Sequence, residues 1–174
     1  MQILKNNYAF IDTQNTWKGV STLGWVLDWL KFRIYLQDKY NVTKAFLFIG
    51  YIEKHAPMYQ SFEDAGFLII FKPTIRDNYG NIKGNCDADM VLETVIHVQK
   101  YDKAVIVTSD GDFYSLVRYL YDCEKLEVVI SPYGETCSHL LKNEAKDKLV
   151  CIYTLQSKIS KDTNEKAPHG DETP

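Results

Sequence analysis

A chain of 174 residues reads as one domain by length and is long enough to bury a sizeable core. Its 45% hydrophobic and 25% charged residues are those of an ordinary soluble globular protein, and a formal net charge of −3 does not advertise a nucleic-acid binder. A local basic patch can still serve a small acidic enzyme, so the charge excludes little. No apolar run approaches the roughly 20 residues of a membrane span. Residues 1–7 lack the apolar segment of a secretory signal, and a cytoplasmic protein is the expectation.

The four cysteines, Cys86, Cys123, Cys137 and Cys151, include no C-x-x-C pair, and the four histidines do not pair at metal-ligand spacing. A structural zinc site therefore has little support. We read the cysteines as reduced, with Cys123 and Cys151 as small core residues and Cys86 merely beside an acidic cluster.

In chain order, Tyr8-Ala9-Phe10-Ile11 is a short apolar strand that ends in Asp12-Thr13-Gln14-Asn15. It delivers a carboxylate at its carboxyl end, although Asp12 or Thr13 would equally cap a following helix. Residues 17–40 carry the longest helical pattern, with Val20, Leu23, Leu27, Leu30 and Ile34 on one stripe and Trp25, Trp29, Phe32 and Leu36 on another. A helix on a sheet needs one apolar face. The surplus tryptophan fits either a wide core contact or a self-association surface, and the second would make a homodimer through this helix.

Ala45-Phe46-Leu47-Phe48-Ile49 is a second central strand, residues 55–65 a modest helix closed by Gly66, and Phe67-Leu68-Ile69-Ile70-Phe71 the next strand. Strands alternating with helices indicate a mostly parallel sheet with right-handed crossovers. Residues 72–85 form a long connection, which in a compact domain signals function or disorder. Within it Lys72, Arg76 and Lys83 are placed to neutralise phosphates and Tyr79 to stack a base. Asp87-Ala88-Asp89 opens the next helix, whose expected buried face is Ala88, Val91, Leu92, Val95 and Ile96. Acidic residues in a first turn also suit the helix dipole.

Ala104-Val105-Ile106-Val107 is a fully apolar strand that turns abruptly into Thr108-Ser109-Asp110-Gly111-Asp112, after which Phe113, Leu116, Val117 and Leu120 recur at helical spacing. A fifth strand (127–130), a short helix (138–145) and a last short strand (149–152) follow. Beyond residue 155 the chain is nearly all polar, and 156–174 reads as a disordered tail behind a domain of residues 1–155.

A sheet ordered 3-2-1-4-5 makes the first strand and the Ala104 strand neighbours at the topological switch point. Asp12 and the Asp110/Asp112 pair then emerge in one crevice, and the helix opened by Asp87 and Asp89 starts at the same edge. Such a cluster is costly without a counter-charge. Oxygen-only ligands suit Mg²⁺ or Mn²⁺, which can orient a water and stabilise charge on a phosphodiester.

Three segments resemble one family. Phe10-Ile11-Asp12-Thr13-Gln14-Asn15 is similar to the F-I-D-x-x-N opening of NYN domains (DUF88), a branch of the PIN-like nucleases. Lys83-Gly84-Asn85-Cys86-Asp87 resembles their K-G-x-x-D helix start, and Thr108-Ser109-Asp110-Gly111-Asp112-Phe113 their S-G-D-x-D-F segment. The order and spacing match over about residues 6–153. The resemblance implies a PIN-like three-layer α/β/α sandwich and metal-dependent cleavage, most often of RNA. It assigns Asp12, Asp87, Asp110 and Asp112 as catalytic metal ligands. Asn15 matches a polar position, and Thr108, Ser109 and Asp89 are auxiliary. Ser109 departs from the usual glycine and Gly111 from a frequent serine, which touches the turn presenting Asp110. The rival is a PIN-like module that binds RNA or a protein without cutting. A phosphatase that places D-x-D after its first strand is disfavoured by Asp12-Thr13-Gln14.

Overall fold

A computed structural model describes residues 5–72, 75–76, 82–83 and 86–162, with the pairs 75–76 and 82–83 described for their backbone alone. The elements are β1 (Asn7–Asp12), α1 (Thr13–Thr22), α2 (Trp29–Tyr40), β2 (Val42–Gly50), α3 (Ala56–Asp64), β3 (Leu68–Lys72), β4 (Ile75–Arg76) and β5 (Ile82–Lys83). They continue with α4 (Asp87–Ile96), β6 (Ala104–Val107), α5 (Tyr114–Asp122), β7 (Leu126–Ser131), α6 (His139–Ala145), β8 (Leu149–Cys151) and α7 (Gln156–Ile159).

Six strands form one parallel sheet in the order β3-β2-β1-β6-β7-β8, while β4 and β5 pair antiparallel apart from it. Counting only the main sheet, this is 3-2-1-4-5-6, the expected order with the last short strand added at the edge. The reversal of direction falls between β1 and β6, so their carboxyl ends share a crevice.

Alternation along the strands divides the core into two layers. Ala9, Ile11, Leu47, Ile49, Val105 and Val107 pack with α1, α2, α3 and α7 on one face. Tyr8, Phe10, Phe46, Phe48, Ala104 and Ile106 pack with α4, α5 and α6 on the other. The central strands are buried on both faces, which is why they read as unbroken apolar runs.

The single helix expected over residues 17–40 is two helices. Leu23 ends α1, Gly24 takes φ +80°, and Asp28 caps α2 by accepting from the Lys31 N–H. At the break, residues 26–28 pair with residues 159–161: Asp28 N–H donates to Ile159 O, and Lys161 N–H to Val26 O. The tryptophan surplus belongs to the core, since Trp29 meets Phe32, Phe62 and Phe67 edge-on and Trp25 packs against the same layer. Leu30 and Ile34, expected inside, are exposed.

Two further expectations change. Residues 156–159, placed in the polar tail, form α7, because Ile159 is fully buried and anchors them against α2; residues 163–174 lie outside the described part. On α4 the buried face is Met90 and Thr94 with part of Val91, while Leu92, Val95 and Ile96 are exposed. Residues 87, 90 and 94 follow one helical stripe, so the stripe that enters the core is also the one that carries Asp87. Tyr101 Oη secures this orientation by donating to Thr94 O. Cys123 is exposed and Cys151 half-buried, whereas Cys137 is the buried thiol. Among the described residues, no helix is long and apolar enough to cross a membrane.

Candidate metal centre

Strand β1 ends at Asp12, which is both the last strand residue and the N-cap of α1. Its Oδ1 accepts the Asn15 N–H at 3.0 Å, and its Oδ2 lies 3.4 Å from the Thr108 hydroxyl. Strand β6 ends one residue before Thr108. The Asp110 carboxylate then accepts the Asp112 N–H at 2.9 Å, and the Thr108 hydroxyl accepts the Asp110 N–H at 3.2 Å. These short polar side chains bond their own neighbouring backbone, which is the chemistry that makes a chain leave a strand in a tight turn.

Asp87, in the first turn of α4, completes the grouping. One carboxylate oxygen from each of Asp87, Asp110 and Asp112 lies within 4.8 Å of the others. Asp12 is outside that trio but close enough to feel it. Burial first, then the charges of Asp87 and Asp110, push its carboxyl from 3.8 up to about 6, against the lowering pull of its hydrogen bonds to Asn15 and Thr108. Four carboxylates in one crevice bring like charges close together. That is the condition a hard divalent cation relieves, and the donors are all oxygen. The Cys86 thiol beside them is pushed up to about 11 by burial, against the lowering pull of Lys72. The residues present fit a hard divalent cation.

The other expected site residues distribute around this centre. Asn15 reaches across from α1, its Oδ1 accepting the Ser109 N–H at 2.9 Å, so it ties the Asp12 and Asp110 segments together. Asp89 is not one of the trio and pairs with Lys72 Nζ at 3.3 Å. Lys72 thus stands at the rim of the acidic crevice. The Arg76 and Lys83 side chains and the whole of Tyr79 lie outside the described residues.

The two residues that depart from the expected pattern have separate surroundings. A Cβ built on Gly111 would lie 2.5 Å from Ser138 Oγ, so a side chain there would have to displace that hydroxyl. At position 109 the hydroxyl is instead accommodated and bonded, to Ser131 Oγ at 2.8 Å and to the Tyr133 N–H at 2.9 Å. Ser131 was not among the expected site residues. The only sequence signal for it was its place at the carboxyl end of a strand adjacent to β6.

The solved structure of a protein of unknown function from Vibrio parahaemolyticus superposes with a TM-score of 0.73. It shares 22% identity and covers 87% of this chain and 96% of its own, a likeness of fold. No match is found among curated proteins. The NYN domain model matches residues 8–152, from the first residues of β1 to just past β8, and so spans every carboxylate of the crevice. The chain is a member of the NYN domain family, within the PIN-like nuclease superfamily.

Proposed function

We propose that this chain is a Mg²⁺- or Mn²⁺-dependent ribonuclease. The observation that carries the reading is the approach of Asp87, Asp110 and Asp112 to within 4.8 Å, beside a buried Asp12. Asp87, Asp110 and Asp112 would hold the ion, with Asp12 as the fourth carboxylate behind them. When bound, the ion supplies activation of water and stabilisation of charge on the scissile phosphate. The chain's own residues do the rest. Asn15 and Thr108 hold Asp12 and the Asp110 turn in register. The helix dipole of α4 steadies Asp87 in its first turn. Lys72 sits where a phosphate backbone would cross the rim, and its pairing with Asp89 keeps it extended there; Arg76, Lys83 and Tyr79 are the further candidates for RNA contact.

The test is cleavage of a labelled, mostly single-stranded RNA with Mn²⁺, Mg²⁺ or EDTA, comparing wild type with Asp110→Asn. Activity that needs the ion and disappears in the variant supports the reading. RNA binding without cleavage under any ion would replace it with a PIN-like binding module. Self-association of the 17–40 segment would rest on exposed Leu30 and Ile34, and a monomer mass by light scattering at micromolar concentration would remove it. A cytoplasmic location accords with the reduced state expected of the cysteines.

A further inference from the structure

Ser109 uses every polar atom it has, and each bond goes to a different part of the fold. Its N–H donates to Asn15 Oδ1 on α1, at 2.9 Å. Its carbonyl accepts the N–H of Ser138, the N-cap residue of α6, at 3.2 Å. Its hydroxyl pairs with Ser131 Oγ on β7 at 2.8 Å and accepts the Tyr133 N–H at 2.9 Å. Ser109 is 7% exposed and Ser131 fully buried, so the hydroxyl pair is shielded from water and neither partner has solvent to fall back on. The next residue is Asp110. On its far side Gly111 lies against Ser138, where an added Cβ would have to displace the Ser138 hydroxyl. The backbone before the Asp110 carboxylate is therefore held by the bonds of Ser109, and the residue after it sits in close contact with α6's N-cap.

We propose that Ser109 and Ser131 are a pair of positioning residues that set the Asp110 turn for metal binding, with Ser131 reaching the site from β7 only through Ser109. The proposal rests on the metal-centre reading above. Outer partners that orient metal ligands commonly contribute 10- to 100-fold in affinity, and a clamp on the backbone of a ligand acts in the same way. The serine at 109 makes this chain depend on a hydroxyl partner in β7 that a glycine there could not engage.

The probe is Mn²⁺ alone, titrated calorimetrically into wild type, Ser109→Ala, Ser131→Ala, the double variant and Ser131→Thr, each at a temperature where it is folded. Ser109→Ala and Ser131→Ala should each weaken Mn²⁺ by about 10-fold or more. The double variant should be no worse than Ser109→Ala, which already removes the bond to Ser131 together with the one from the Tyr133 N–H. Ser131→Thr, which keeps the hydroxyl, should stay near wild type. A merely structural pair would lower the melting temperature and leave the Mn²⁺ affinity within about twofold, which overturns the proposal. Hydrogen exchange at the Asp110 and Asp112 amides of the metal-free chain is the second readout, expected to accelerate in both alanine variants. If wild type takes up no Mn²⁺ while these amides still loosen, the clamp stands and the metal reading falls. Unchanged exchange overturns the clamp itself, as does failure of both alanine variants to fold.

Discussion

The two edges of the sheet solve the same electrostatic problem in opposite ways. At the amino edge, buried and half-buried polar groups beside the strand starts have partners suited to them. Buried Asn7 donates its amide to Tyr40 O at 2.7 Å and accepts the Lys103 N–H at 3.0 Å. Lys125 Nζ donates to Tyr101 O at 2.8 Å and lies over the Tyr101 ring, and Lys148 Nζ donates to Leu126 O at 2.7 Å. At the carboxyl edge, carboxylates face carboxylates, and Asp12 is driven up to about 6 by burial and by its neighbours. The amino edge is arranged for stability. The carboxyl edge keeps a repulsion that stability alone would remove, which is what a site built for a charged ligand looks like.

Breaking each edge should therefore give a different signature. Asp110→Asn should abolish metal-dependent cleavage by on the order of 1,000-fold, roughly 4 kcal/mol of barrier, while leaving the thermal midpoint close to wild type. A midpoint well below wild type would instead make the turn structural. At the other edge, Asn7→Ala should cost about 2–4 kcal/mol in denaturant unfolding, since Tyr40 O and the Lys103 N–H both lose a buried partner. Added Mn²⁺ should relieve none of that loss beyond its effect on wild type.

Asp12→Asn should act in the opposite sense and stabilise the metal-free chain. The folded carboxyl binds its proton more tightly than the unfolded one, so the cost of the charged form is absent below about pH 4 and complete above about pH 6. Roughly 1–3 kcal/mol should be gained at pH 7.5 and almost nothing at pH 4, read from urea midpoints at both values. A gain equal at both would show that packing, and not charge, is responsible. The smallest effect belongs to the rim: Lys72→Ala breaks a partly exposed pair with Asp89 and should change stability by less than about 0.5 kcal/mol. If Lys72 contacts RNA, the same change should weaken RNA binding and flatten its salt dependence.

What is legible in this sequence and what is hidden also divide along physical lines. The strands through residues 8–11, 45–49 and 104–107 were plain because double-sided burial demands continuous apolar runs. Gly24 and Asp28 carried the signals that split residues 17–40, a left-handed turn residue and an N-cap, but the apolar periodicity ran across them. On α4, Leu92, Val95 and Ile96 looked like a core stripe, and the helix instead turned Met90 and Thr94 inward.

What the sequence determined by itself was the fold class, the sheet order and the delivery of Asp12, Asp87, Asp110 and Asp112 to one edge. Each of these follows from local rules: strand burial, right-handed crossover, and polar turns at strand ends. What tertiary structure alone decided was which groups meet side by side. It placed Asp87, Asp110 and Asp112 within 4.8 Å near a buried Asp12, paired Asp89 with Lys72, and gave Ser109 its partner 22 residues away on β7. Such choices depend on strand register and helix rotation, which are set by packing over the whole core rather than by any residue's own neighbours in the chain.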